Sequence, residues 1–475
     1  MENLFGRKVI YSDVAEVTAE NVIEVVRKAL TVHARNASEI NYLYAYYKGK
    51  TPVFNRVKEV RPEICNKISI NYANSIVAFK TGYLVGEPVQ YVSRSADNTQ
   101  NISDGLLELN GYMYAERKSC RDEELVDWQH ICGTAYRMIT QNTEFAEGEA
   151  PFKIYTLEPQ NTFVIYSSRL GHSPLAGVYF TEDENRKRAY SVYTRNAFFE
   201  IFNSQITRAE FYPFGIIPII EYPANNARLG AFEIVLPLLD AINDFDSSRK
   251  DAVEQFVQSL LVLKNCQLDD NVTANAIRQA GLIQLTSIGE NKADIDNIAE
   301  QLDQTQNQTL KDDMYNAVLT IVGMPSQANG GTSDSSNNGA VILKNGWQDA
   351  EARAKRSETA FRESEGTMLK LVLRICRYFT DINLSVGDIG IKFTRRQYEA
   401  ISEKSTVFAT LMATGWVSLL DAFTISGLTI DPEEAAARGA EWHSKTEEQN
   451  DEGFTSDGRV EQIVEPVDDM VPTME

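Results

Sequence analysis

The sequence predicts a mixed α+β protein, rich in strands up to about residue 222 and mostly helical beyond it. Three patterns carry that prediction. From Thr134 to Tyr222, β-branched and aromatic runs alternate with polar turns, the composition of half-buried strands. Past Pro223, apolar residues fall three and four positions apart, as on one face of a helix. Between those helical stretches lies SQANGGTSDSSNNG, residues 326 to 339, whose Gly, Ser, Thr and Asn make it a loop.

Taken in order, Val22, Val25, Val26, Ala29 and Val32 mark a first helix that runs into a tyrosine-rich turn, Tyr42 to Tyr47, closed by Gly49. A second helical stretch covers Ile64 to Phe79. Gly82 to Val92 alternates and contains Pro88, which suits a short edge strand because proline cannot donate to a ladder. Residues 103 to 132 read as helix ending near Gly133. Ala135–Thr140, Phe152–Leu157, Phe163–Tyr166, Gly177–Thr181, Tyr190–Thr194 and Phe198–Phe202 then predict a mostly antiparallel sheet.

The helix after Pro237 has an apolar stripe through Leu239, Ile242, Val253 and Phe256, and its other face holds Asp240, Asp244, Asp246, Asp251 and Glu254. SLLVLK, LIQLTS and ADIDNI are short β-like pieces set between it and a helix over Asn307 to Val322, which Gly323 and Pro325 stop. After the loop, Leu343, Trp347, Ala350, Phe361, Met368 and Val372 predict a helix of about 40 residues, roughly 60 Å long. Ile389 to Phe393 reads as a short strand and 397 to 445 as helix; the acidic tail 447 to 475 is expected to be disordered.

Composition excludes several functions. Of 475 residues, 67 are acidic and 46 basic, a formal charge of −21, opposite to the basic footprint that grips nucleic-acid phosphate. The five cysteines are far apart with no CxxC, so neither a disulfide framework nor a zinc site is indicated, and a reducing compartment is expected. No apolar run approaches the roughly 18 residues of a membrane span, and charges stand where a signal peptide would be apolar. The chain is expected to be soluble, cytoplasmic and not membrane-bound.

Catalytic signatures are weak. Gly49-Lys50-Thr51 ends like a phosphate-binding loop, but Tyr44 stands where its first glycine is needed, so the segment reads as a turn. His33, His130, His172 and His443 lack metal-ligand spacing, and no GxSxG nucleophile motif occurs. The pairs Asp244/Asp246 and Asp312/Asp313 read as solvated helix faces. No metal, cofactor or catalytic residue is assigned.

Several stretches, in order, resemble the portal proteins of tailed double-stranded-DNA bacteriophages, the siphophage group common in phages of Gram-positive hosts. YAYYKGKTPVFNR (44 to 56), NKISINYANSIVAFKTGYLVGEPVQY (66 to 91) and HICGTAYRMI (130 to 139) are similar to the family's N-terminal half. The most specific stretch is PFGIIPIIEYPANNARLGAFEIVLPLLDAINDF, which starts at Pro213 and leads into the family's stem helix. GAVILKNGWQDAEARAKRSETAF (339 to 361) and FTRRQYEAISEKSTVFATLMATGWVSLLDAF (393 to 423) resemble its long helix and crown.

The resemblance implies a portal fold divided into a wing (1–228), stem helix (229–258), clip (259–306), second stem helix (307–325), tunnel loop (326–338), long wing helix (339–380) and crown (381–446). It also implies a ring, usually of twelve subunits, in the virion at one capsid vertex, assembled in the host cytoplasm. Double-stranded DNA passes through such a ring without sequence specificity. The implied partners are terminase large subunit, head-tail connector, major capsid and scaffolding proteins.

Physics suits that role, because each tight Lys or Arg contact to phosphate releases counterions and would pin the DNA. Asp240, Asp244, Asp251 and Glu254, with Asp312 and Asp313, are therefore expected to line a negative channel. Asn329, Gly330, Gly331, Thr332, Ser333, Asp334, Ser335, Ser336, Asn337 and Asn338 are expected to be the closest DNA contact. The competing classes are a packaging-associated enzyme, either terminase nuclease or ATPase, and a structural adaptor that does not meet DNA.

Overall fold

The computed structural model describes residues 6–59, 61–94, 100–146, 148–257, 260–264, 266–267, 286–287, 294–298, 304–325, 346–395, 401–429 and 432–453. It divides into two compact units, Met1–Arg395 and Arg396–Glu475.

The first unit begins with β1 (Ile10–Ser12) and α1 (Val22–Tyr47). Tyr72–Val85 forms α2, capped by the Asn71 side chain, which accepts a hydrogen bond from the Asn74 amide. The helix therefore starts later than the expected Ile64, because the amides of Asn66, Ile68 and Ile70 donate instead to side chains of the helix Leu236–Val257. Gln90–Ser93 is β2, and it pairs antiparallel with a late strand, Ile389–Lys392. The helix expected over 103 to 132 is two, α3 (Gln100–Ala115) and α4 (Lys118–Cys132). Arg117, at φ +52°, breaks the helical path between them.

The strands that follow are β3 (Thr134–Gln141), β4 (Phe152–Leu157), β5 (Thr162–Ser167), β6 (Pro174–Glu182), β7 (Arg188–Tyr193), β8 (Ala197–Phe202), β9 (Gln205–Phe211) and β10 (Ile219–Pro223). They form two sheets, where the sequence led us to expect one. One has the order β1-β5-β6-β7-β8-β9, antiparallel except for the parallel pairing of β1 with β5; the other is β10-β3-β4. The split reflects two different burial patterns. β5 to β8 place Phe163, Ile165, Val178, Val192 and Phe199 against Val22, Val25, Val26 and Ala29 of α1. β3 is buried almost from end to end, as a strand covered on both faces must be.

Next come α5 (Leu236–Val257), the paired strands β11 (Leu260–Lys264) and β14 (Asp294–Ile298), the short pair β12 (Cys266–Gln267) and β13 (Thr286–Ser287), and α6 (Gln304–Val322). Then α7 runs from Trp347 to Phe379, 33 residues. At 1.5 Å per residue that is about 50 Å, shorter than expected. Its first half buries one stripe, Ala350, Ala354 and Phe361; its second half, from Met368 to Cys376, enters the main core beside Leu125, Ile139 and Phe152. β15 (Ile389–Lys392) closes the unit.

The second unit holds α8 (Ile401–Ala413), α9 (Leu419–Ser426) and α10 (Pro432–Gly453). The α10 helix runs beyond Glu447, where the sequence suggested that structure would end. Residues 381 to 395, expected to belong with this unit, are part of the first one, held there by the β15–β2 pairing.

Candidate functional site

The two helices α5 and α6 pack against each other, and three sets of charged anchors hold them and their surroundings. At the start, Arg7 donates to Glu233 at 2.6 Å, with both side chains essentially out of water, and Gly230 donates its amide to the other Glu233 oxygen at 2.9 Å. In the middle, Lys311 of α6 pairs with Asp246 of α5 at 2.9 Å. Near the end of α5, Asp251 is buried and receives Arg56 at 2.8 Å, Lys58 at 3.1 Å and the Asn66 amide at 2.7 Å. Burial opposes its ionisation, but the Asn66, Lys58 and Arg56 donors prevail and hold the carboxyl at about 2.

The six acids read from the sequence thus separate. Asp251 is spent on an internal anchor. Glu254 accepts from Asn66 Nδ2 at 2.8 Å, sharing that anchor. Asp240 is half-buried, accepts from the Tyr46 hydroxyl at 2.9 Å, and has its carboxyl raised by burial and by the neighbouring Asp244 charge. Asp244, Asp312 and Asp313 are exposed. Asp312 accepts only from Gln308 at 2.8 Å, and Asp244 and Asp313 have no partner among the described residues. Asn329 to Asn338 lie outside the described residues.

A buried polar centre that sequence reasoning missed joins α4 and the strands β2, β3 and β10 to α7. Glu365 of α7 receives Lys118 at 2.8 Å, Arg137 at 3.1 Å, the Tyr222 hydroxyl at 2.6 Å and the Tyr91 hydroxyl at 2.5 Å. Asp122 completes the set, paired with Lys118 at 2.6 Å and with Arg137. Burial raises the Glu365 carboxyl, and the Lys118 and Arg137 charges outweigh it, leaving the group well below its ordinary value. These five elements come from distant parts of the chain, so no local spacing announces them.

Beside it, Glu221 of β10 takes a two-pronged contact from Arg228 at 2.6 and 3.0 Å, and accepts from Thr134 at 2.9 Å and from Tyr166 at 2.6 Å. Arg395 likewise bridges Glu351 at 2.7 Å and Glu358 on α7. Every one of these carboxylates is saturated with donors, which suits rigid support and leaves none free to move protons to a substrate. Among the described residues no group of three or more His, Cys, Asp or Glu is placed to hold a metal ion. No described helix is long and apolar enough to cross a membrane.

A sequence model described as phage portal protein, SPP1 Gp6-like, matches residues 27 to 450 of the chain. The chain belongs to this portal protein family. Its role is structural, of the portal and connector kind, in a phage-like particle. Among curated proteins none matches it. Among solved structures, a chain from the neck of an empty gene transfer agent particle is similar at 13% identity and a TM-score of 0.43, covering 75% of this chain and 90% of that one. A chain from the neck of the native particle gives 13%, 0.42, 75% and 91%, and one from the native virion gives 12%, 0.39, 75% and 89%. At those scores the likenesses carry no argument about this portal protein's assembly.

Proposed function

We propose that copies of this chain close into a ring, twelve being the usual number in the family, at one vertex of the capsid. Double-stranded DNA enters and leaves through it. The observation that carries the reading is the family match over residues 27 to 450, nearly the whole chain. Two features support it: a paired-helix stem held by internal ion pairs, and exposed carboxylates at Asp312 and Asp313 with no ion-pair partner among the described residues, the adjacent Lys311 being paired with Asp246. A wall carrying those carboxylates would repel phosphate along the bore and so let a duplex slide in either direction.

In this reading the segment 326 to 338, neutral but for Asp334, is the closest approach to DNA, and the β11 to β14 region docks the terminase large subunit and then the head-tail connector. Major capsid and scaffolding proteins surround the ring in the virion. The protein conducts and turns over nothing. Electron microscopy of the purified chain tests the reading: rings with a through-hole are expected, and a compact monomer or a closed particle would end it. Shortening 326 to 338 is expected to leave rings intact while impairing DNA packaging or retention.

A further inference from the structure

Two charged patches of opposite sign in the first unit include groups that have no ion-pair partner among the described residues. The basic one lies where α2, the end of α6 and the first half of α7 meet. Half-buried Lys80 on α2 has no hydrogen-bond or ion-pair partner among the described residues. Burial, together with the Arg353 charge and against the pull of Asp349, pushes its ammonium down to about 8. With Arg353, Lys80 lines a small cleft, walled also by Phe79, Tyr83 and His130. Arg353 donates to the Ile321 carbonyl at 2.7 Å and pairs with Asp349 at 3.1 Å. Arg356, one turn along α7, is exposed and has no partner among the described residues.

The acidic cluster is Asp240 and Asp244, one turn apart on α5. Among the described residues Asp244 is exposed and unpaired, and Asp240 has only the Tyr46 hydroxyl at 2.9 Å. Like charges this close raise each other's cost in the isolated chain, and an opposite charge relieves both. A passing duplex would satisfy the basic cluster and leave the acidic one as it was. A second copy of the chain satisfies both at every contact.

We propose that the basic face of Lys80, Arg353 and Arg356 on one copy is the docking surface for the acidic α5 face of the next copy, centred on Asp240 and Asp244. Different patches of identical chains then meet head to tail, the geometry that generates rings. The inference rests on the ring reading above, and it separates the stem's two helices by role: α5 faces the neighbour and α6 faces the bore.

Mass photometry of the full chain across a dilution series tests it. Arg356→Glu and Asp244→Arg are each expected to raise the concentration for half-assembly by roughly tenfold, and the double variant to recover to within roughly threefold of wild type. Raising sodium chloride from about 0.05 to about 0.5 M is expected to raise the wild-type value in the same direction. Single variants that assemble like wild type, a double variant with additive loss, or a salt-independent wild type would each overturn the inference while leaving the ring in place. A wild-type chain that never assembles would instead overturn the ring reading. Rings of Arg356→Glu that form normally but bind duplex DNA more weakly would assign the basic face to DNA and overturn the inference as well.

Discussion

Arg137 on β3 and Glu365 on α7, 228 positions apart, meet as an ion pair at 3.1 Å with neither side chain exposed to solvent. The pair ties the three-stranded sheet to the long helix, so it sets where α7 leaves the core. Removing one partner strands the other charge. Arg137→Met is expected to lower unfolding stability by about 3 to 5 kcal/mol, read as a shift of the denaturant midpoint. A variant within about 1 kcal/mol of wild type would show that Lys118 alone satisfies Glu365.

His33 on α1 gives the fold a dependence on pH. Its Nε2 lies 2.8 Å from the Gln160 carbonyl, so that nitrogen carries the hydrogen, and its ring packs 4.6 Å from Phe163. Burial pushes its pKa down to about 4. An unfolded histidine takes its proton near 6.5, so between about pH 6.5 and 4 the unfolded chain binds a proton that the folded chain refuses. Stability therefore falls as pH falls through that window, by up to about 1.4 kcal/mol per pH unit for this group. His130, buried and pushed down to about 3, adds a slope of the same sign. Comparing midpoints at pH 7 and pH 5, His33→Gln is expected to lose part of the wild-type slope; an unchanged slope would remove His33 from the account.

Asp251 anchors Arg56, Lys58 and Asn66 to α5. Asp251→Ala is expected to release them and cost about 3 kcal/mol, with faster amide exchange at Asn66 and Ile68 as the local signature. Because the folded carboxyl is held at about 2, its stabilisation is complete above the ordinary aspartate range near pH 4 and is lost as pH falls toward 2. The wild-type anchor should thus survive at pH 5, where the His33 contribution is already failing. Equal exchange at Asn66 in wild type and variant would show the anchor to be without consequence.

What could be read beforehand follows the range of the forces involved. The α1 stripe and the strands from Thr134 to Phe202 depend on residues two to four positions apart, so their composition announced them. The two-sheet division did not, because it depends on which strand meets α1 and which meets α7. The same holds for the acids of α5. Helical spacing placed Asp244 and Asp251 on the polar face alike, but Arg56, Lys58 and Asn66 reach Asp251 and leave Asp244 exposed. A lysine, an arginine and an asparagine within eleven residues was the available signal, and it names no partner. Arg117 shows the local limit: nothing in its neighbours marks the φ of +52° that divides α3 from α4.

The junction between α4 and β3 supplies the last prediction. Gly133 ends α4 at φ +80°, a conformation that a side chain strains, and its amide closes the helix on the Gln129 carbonyl at 2.9 Å. A Cβ there would sit 2.1 Å from the Arg228 carbonyl oxygen, which is backbone and belongs to the residue that clamps Glu221. Gly133→Ala must therefore displace that clamp, and a loss of about 3 kcal/mol or more is expected. Gly366, inside α7, is the control, since an added Cβ meets nothing within 4 Å. Gly366→Ala is expected to raise stability by about 0.5 to 1 kcal/mol through helix propensity alone. Thermal unfolding of the two variants side by side checks both, and similar losses in the pair would mean that α7 is covered at Gly366 by a neighbouring copy.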